Sequence, residues 1–189
     1  MTPCLRPANC YNSADMDTSH TVRTLSWMFG IFIGAMWTGE VLLGNLGGTS
    51  VFGNLREFHP RIYALAPWFA LAAVGATAFC GVVAAYQTGS VEKALQVGIC
   101  SGVISGAITC AIGIGITLLF HDVMMTDPAT IHEFARSAHG PPTQADLSAF
   151  LYWDAIAGGL NHIWIGPLLG LTFGGMGAVA GKSMRQPSL

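Results

Sequence analysis

The fold of this chain is decided by the stretch from Ala94 to Phe120, which reads ALQVGICSGVISGAITCAIGIGITLLF. The stretch contains no charged side chain, and it exceeds the roughly 20 residues that a helix needs to cross the hydrocarbon core of a bilayer. Because lipid offers no hydrogen bonds to an exposed backbone, a spanning segment of this kind must bond to itself as an α-helix. The sequence therefore predicts a transmembrane helix here.

Three other stretches meet the same criterion, and the only acidic, basic or histidine side chains in them are Glu40 and His162. The alternating segments of about ten residues that mark a membrane β-barrel are absent from the sequence. We therefore expect an all-α fold, a polytopic membrane bundle with four transmembrane helices at about 25–46, 62–86, 94–120 and 157–180.

The composition of the whole chain agrees with this class. Hydrophobic residues make up 52% of the 189 residues and charged residues only 10%, with a mean hydropathy of +0.52. Soluble domains carry about 25% charged residues, and disordered chains are rich in charge and poor in apolar residues. A net charge of −2 with scattered basic residues offers no surface for nucleic acid. The expected partners are the lipid bilayer and other membrane helices, in a homo-oligomer or a larger complex.

The remaining residues form tails and loops around one domain. We expect a polar N-terminal tail at 1–24, a four-helix transmembrane domain at 25–181 and a short C-terminal tail at 182–189. The basic residues near the helix ends favour a cell-membrane protein with both termini in the cytoplasm, by a margin of five to three. The five on the terminal side are Arg6, Arg23, Lys93, Lys182 and Arg185, and the three on the other side are Arg56, Arg61 and Arg136.

The long third loop, 121–156, contains two signals for short helices at the membrane surface. Asp127 followed by Pro128 is a typical helix start, and Thr143 with Asp146 three residues later resembles a capping box. The second helix is expected to bend at Gly158-Gly159 into the last span, or to be a continuous extension of that span.

Small residues recur every four positions in the spans, which is typical of membrane helices that pack with their backbones in close contact. The predicted packing residues are Gly98, Gly102 and Gly106 in the third span and Gly166, Gly170 and Gly174 in the fourth. The position that would continue the fourth-span row is occupied by His162.

Glu40 and His162 are the candidate functional residues, because an ionisable side chain inside a span is costly and usually has a role. At 1.5 Å per residue, Glu40 lies about 9 Å inside the end of its helix and His162 about 8 Å inside the start of its own. With both termini on one side, these two ends share a leaflet. Asn161 and Asp154 lie nearby in sequence and complete the ion or proton candidates.

Three interpretations of this polar face stay open. The first is a non-catalytic membrane subunit, scaffold or assembly partner, in which Glu40 and His162 form a structural pair. The second is an oligomeric proton- or ion-coupled transporter that uses both residues. The third is a metal- or haem-bearing redox subunit, although no cofactor is expected from any recognised motif. Its candidate metal ligands are His121, His162, Glu40 and His59.

No catalytic residue is predicted. The glycines lie inside apolar spans rather than between a strand and a helix, which does not match a phosphate-binding loop. The Gly-x-Ser-x-Gly motif of serine hydrolases is also absent from the sequence. The sequence therefore leans away from an enzyme without excluding one.

Overall fold

The computed structural model of the protein describes residues 9–53, 57, 59–138 and 143–185, with the backbone alone at 9–17 and 138. These residues form an all-α bundle, as predicted. The ends of both predicted tails, the basic residues Arg6 and Arg56, and residues 139–142 lie outside the described part of the chain. The helices are α1 Asn9–Leu46, α2 Pro60–Tyr63, α3 Ala66–Thr88, α4 Val91–Met124, α5 Pro128–Ala138 and α6 Gln144–Arg185, with a 3₁₀ turn at Ser50–Phe52.

Four of the helical segments are long and apolar enough to cross a membrane, which is the architecture of a multi-pass membrane protein. Their outward faces carry large apolar side chains such as Trp27, Phe32, Trp68, Leu119 and Val179, each at least half exposed. In water such a surface would be unfavourable, whereas lipid tails solvate it. The four predicted spans are therefore confirmed as the four long helices.

Two helices are longer than predicted. α1 begins at Asn9 rather than near residue 25, because the chain contains no proline or glycine between Pro7 and Gly30 to interrupt the helix. α6 runs unbroken from Gln144 through Gly158-Gly159, so the second surface helix is a continuous extension of the last span. Its 42 residues would measure about 63 Å, roughly twice the hydrocarbon thickness, so much of α6 must extend outside the lipid.

The helix of the second predicted span starts later than predicted, because a proline interrupts the chain there. Pro67 has no N–H to donate to the preceding turn, and the chain makes the separate short helix α2 before α3 begins at Ala66. Gly89 then ends α3 in the left-handed conformation at φ 69°, and Ser90 caps α4 by accepting a hydrogen bond from the Lys93 N–H at 3.3 Å. This tight turn makes α3 and α4 neighbours.

The first predicted loop helix is present as α5. Asp127 caps it, because its carboxylate accepts hydrogen bonds from both the N–H and the hydroxyl of Thr130 at 3.2 Å. Phe134 on the inner face of α5 is buried and makes an edge contact with Phe150 of α6 at 5.4 Å between ring centroids. α5 is thereby docked on the extension of α6.

α4 and α6 pack antiparallel through their backbones. A methyl group at Gly98 would lie 2.6 Å from the carbonyl oxygen of Gly170, and one at Gly102 would collide with the carbonyl of Gly166. Such approach is possible only without a Cβ, which explains the four-residue glycine spacing on both helices. Gly174, the last predicted packing residue, lies at the junction of α6 with Gly98 and with α3.

The order of helices around the bundle places α1 and α6 on a diagonal. α1 packs against α3 and α4, and α6 packs against the same two helices, which also touch each other. α1 contacts α4 through Gly30 and Gly34, which face the side chains of Ile104 and Ile108. Long side chains of α1 and α6 can therefore meet only across the interior of the bundle.

Candidate functional site

A polar cavity lies where α1, α4 and α6 enclose the space between them. Its volume is about 190 Å³, enough for several water molecules or a small hydrated ion. The polar and small residues that line it include Glu40 and Asn45 from α1, Thr109, Gly113 and Thr117 from α4, and Asp154 and His162 from α6. The structure thus brings three of the four predicted ion or proton candidates to one cavity.

The Glu40 carboxylate is partly buried at the wall of this cavity. Among the described residues, it forms no hydrogen bond and no ion pair within 4.0 Å, although it lies close enough to His162 for the two to interact electrostatically. A carboxylate removed from bulk water needs a proton, a cation or ordered water to offset the lost hydration. Glu40 is therefore available to bind such a group.

The ring of His162 is oriented by two contacts, and a third contact fixes its backbone. Its Nδ1 lies 2.8 Å from the carbonyl oxygen of Gly158, and a carbonyl can only accept, so Nδ1 is the donor. Its ring meets the edge of Trp37 of α1 at 5.4 Å between centroids. Gly106 of α4 lies against its backbone carbonyl, continuing the glycine register of the α4–α6 contact. In the neutral ring, Nε2 then carries the lone pair that can accept a proton.

Asp154 contributes a second carboxylate, eight residues before His162 on the extension of α6. Eight residues make just over two helical turns, or about 12 Å along the axis, so Asp154 lies toward the outer end of the cavity. Asn161 is exposed and does not line the cavity, since a one-residue step rotates the side chain by about 100° away from His162. Asn161 is therefore not brought to the site.

The two threonines of α4 were not among the predicted site residues. The hydroxyl of Thr109 donates to the carbonyl of Ser105 at 2.9 Å, and that of Thr117 donates to the carbonyl of Gly113 at 3.2 Å. Each hydroxyl donates its proton to a carbonyl of its own helix, so its oxygen is left as an acceptor at the cavity wall. The signal in the sequence is the row Thr109, Gly113 and Thr117 at four-residue spacing, which by itself also suits helix packing.

The four metal candidates do not converge. Glu40 and His162 line the cavity, but His121 lines a separate recess near the ends of α4 and α6, and His59 is exposed before α2. The ring of His121 is engaged there, with Nε2 2.9 Å from the hydroxyl of Ser148 and Nδ1 3.3 Å from a carboxylate oxygen of Asp122. No group of three or more His, Cys, Asp or Glu side chains arranged to hold a metal ion occurs in the described part of the chain.

Comparison with protein-family models, with curated proteins and with solved structures gives no significant match for this chain.

Proposed function

We propose that this protein is a proton- or cation-coupled membrane carrier whose ion site is the cavity lined by Glu40, Asp154 and His162. The observation that supports the proposal best is the presence of a carboxylate without a hydrogen bond or ion pair among the described residues, at the wall of a cavity between helices that are long and apolar enough to span a membrane. Ionisable groups inside spanning helices are expensive to keep, and they commonly mark ion pathways and proton relays.

The charge of the cavity favours a cation. Two carboxylates face one imidazole, so with both carboxylates ionised the site carries a net negative charge whether His162 is neutral or protonated. The threonine hydroxyls add neutral oxygen acceptors, and oxygen ligands suit hard cations and hydronium. In this proposal Glu40 binds the proton or cation, Nε2 of His162 exchanges a proton with it, and Asp154 attracts the cation from the outer side.

The size of the cavity limits the cargo. A volume of about 190 Å³ accommodates a small ion and its water, whereas drug-sized ligands occupy sites of roughly 300–1,000 Å³. Four helices enclose little space, so transport of a larger substrate would need a pathway shared between copies of the chain. We propose an oligomer in the cell membrane with both termini in the cytoplasm.

Reconstitution into liposomes tests the proposal. Proton flux under an imposed gradient is read from a trapped pH-sensitive dye for the parent protein, for Glu40→Gln and for Glu92→Gln. Glu92 is an exposed carboxylate in the first turn of α4 and does not line the cavity, so it is the matched control. We expect Glu40→Gln to reduce the flux to that of protein-free liposomes and Glu92→Gln to leave it unchanged.

An unchanged flux in Glu40→Gln would contradict a carrier that uses Glu40. No flux above protein-free liposomes in the parent protein, for protons or for Na⁺ and K⁺ followed in parallel with cation-sensitive dyes, would contradict a carrier altogether. It would favour the other interpretation, a non-catalytic membrane subunit or assembly partner. In that case the polar cavity would serve the stability of the bundle, and its loss would appear in the melting temperature rather than in transport.

A further inference from the structure

A second polar space lies at the end of the bundle where α4 finishes and α6 begins. This recess has a volume of about 660 Å³ and is open to the outside. Its polar wall consists of His121, Asp122, Thr126, Thr143, Gln144 and Ser148. The hydrogen bond between His121 and Ser148 ties the two helices together at this point, and Tyr152 stacks on the His121 ring at 5.1 Å between centroids.

The recess and the inner cavity share a thin apolar boundary. On α4, Met124 lines the inner cavity and the next residue, Met125, lines the recess. On α6, Leu151 lines the inner cavity, and Leu147 and Ser148, one turn earlier, line the recess. Along both helices the two linings therefore meet within one turn, at an apolar layer formed by Met124 and Leu151.

The side chains of this layer pack against each other. Met124 and Leu151 are only 5% and 4% exposed and belong to one buried cluster with Leu46 and Ile116. The α4 backbone departs from helical geometry at Phe120, with φ −116° and ψ 18°. The last turn of α4, which carries Met124, is thus set off from the straight part of the helix by a local break.

We propose that the recess is the entrance to the ion site and that Met124 and Leu151 form an apolar gate between them. Hydrophobic constrictions close a pathway by excluding water, and a small displacement of one side chain is enough to admit it. The carboxylates of Asp122 at the entrance, of Glu40 in the cavity and of the exposed Asp154 at its outer end make the route favourable for hydrated protons and small cations. The inference rests on the proposed function for the identity of the ion, but access itself can be measured without transport.

Cysteine labelling measures that access. The five native cysteines are first replaced by serine or alanine, and Gly113→Cys then provides one reporter in the inner cavity. Gly113 is suitable because a Cβ there meets no closer atom than Cγ1 of Val41, at 4.0 Å. The protein in sealed vesicles is exposed to a small cationic methanethiosulfonate, and the rate of modification is followed by mass spectrometry.

We expect slow labelling in the reporter protein and labelling about tenfold faster in Met124→Ala and Leu151→Ala, because a smaller side chain lowers the cost of opening by roughly 1–2 kcal/mol. Ile116→Ala is the matched control, since Ile116 belongs to the same buried cluster but lines neither space. Its labelling rate should equal that of the parent reporter.

A second variant keeps the test decisive if the alanine variants do not fold. Ala145→Trp adds bulk in the recess at an exposed position and leaves the His121–Ser148 hydrogen bond in place, and we expect it to slow labelling of the reporter several-fold. Equal rates in all variants, or equal acceleration by Ile116→Ala, would overturn the gate. If the gate variants change the labelling rate but Glu40→Gln does not change the flux, the entrance is retained and the carrier is rejected. The two proposals therefore fail separately.

Discussion

Gly106 of α4 lies directly against the backbone carbonyl of His162 of α6, so that a methyl group at Gly106 would be 2.5 Å from the carbonyl oxygen. The same register places Gly102 against Gly166 and Gly98 against Gly170. His162 therefore lies in the same register as Gly166 and Gly170, and the contact with Gly106 fixes the position of the backbone from which its side chain extends. Helix packing and the polar cavity are consequently parts of one surface rather than two separate features.

Enlarging Gly106 should disturb the site through this contact. We expect Gly106→Ala to lower the free energy of unfolding by about 1–3 kcal/mol, because overpacking a tight contact forces backbone shifts. The measurement is thermal unfolding in mild detergent. Gly115→Ala is the matched control, since nothing lies within 4 Å of a Cβ there and alanine gains about 0.5–1 kcal/mol of helix propensity. Equal destabilisation by both substitutions would contradict the close contact.

Substitution should separate the roles of the two ring nitrogens of His162, which are hydrogen bonding by Nδ1 and proton exchange by Nε2. Asparagine can replace the Nδ1–H donor to the Gly158 carbonyl but offers no equivalent of the Nε2 lone pair. We therefore expect His162→Asn to keep the melting temperature of the parent protein and to lose proton flux in liposomes. His162→Leu should lose both. A fully active His162→Asn would show that Nε2 takes no part in proton exchange.

Glu40 and His162 should be weakly coupled in stability. The two side chains form no ion pair in the described structure, so a double-mutant cycle with Glu40→Gln and His162→Gln should give a coupling below about 0.5 kcal/mol. The free energy of unfolding from chemical denaturation of the four proteins supplies the cycle. A coupling well above 1 kcal/mol would instead support the structural pair that the sequence also suggested.

Metal content follows from the separation of the candidate ligands. Because His121 is engaged with Ser148 in the recess and does not line the cavity with His162, we expect no stoichiometric zinc, copper or iron and no haem absorbance. The measurement is elemental analysis with an absorbance spectrum on protein purified in mild detergent without chelator. One bound metal per chain that disappears in His162→Ala would contradict the expectation and return the redox interpretation.

The orientation of the bundle can be checked from outside intact cells. Ser90 lies in the turn between α3 and α4, and Thr143 immediately precedes α6 at the other end of the bundle. With native cysteines removed, an impermeant thiol reagent should label Thr143→Cys and spare Ser90→Cys. The reverse pattern would place both termini outside the cytoplasm.

Much of the fold could be predicted because a lipid environment permits only a few backbone structures. A long apolar run must be a helix, and glycines at four-residue spacing must lie at helix contacts, so the four spans and the small faces follow from composition. Helix ends are harder, because polar residues continue a helix as readily as they end it. α1 and α6 extend beyond their apolar segments for this reason.

The site was predictable only in part, for a geometric reason. Depth along a helix can be counted from sequence, and it predicts that Glu40 and His162 lie at similar depths in one leaflet. Which helices are neighbours cannot be counted in the same way. The diagonal arrangement of α1 and α6 leaves a cavity between Glu40 and His162. His121 lines a different space, the recess at the end of the bundle.

The glycine contact between α4 and α6 has a mechanical consequence. Where backbone packs on backbone, no side chain can change its rotamer to let one helix slide past the other. We therefore expect α4 and α6 to move together at this contact. α1 meets α4 through the branched side chains of Ile104 and Ile108, which can slide over the opposing glycines. Movement of a whole helix is therefore expected at α1, which carries Glu40, rather than between the straight parts of α4 and α6.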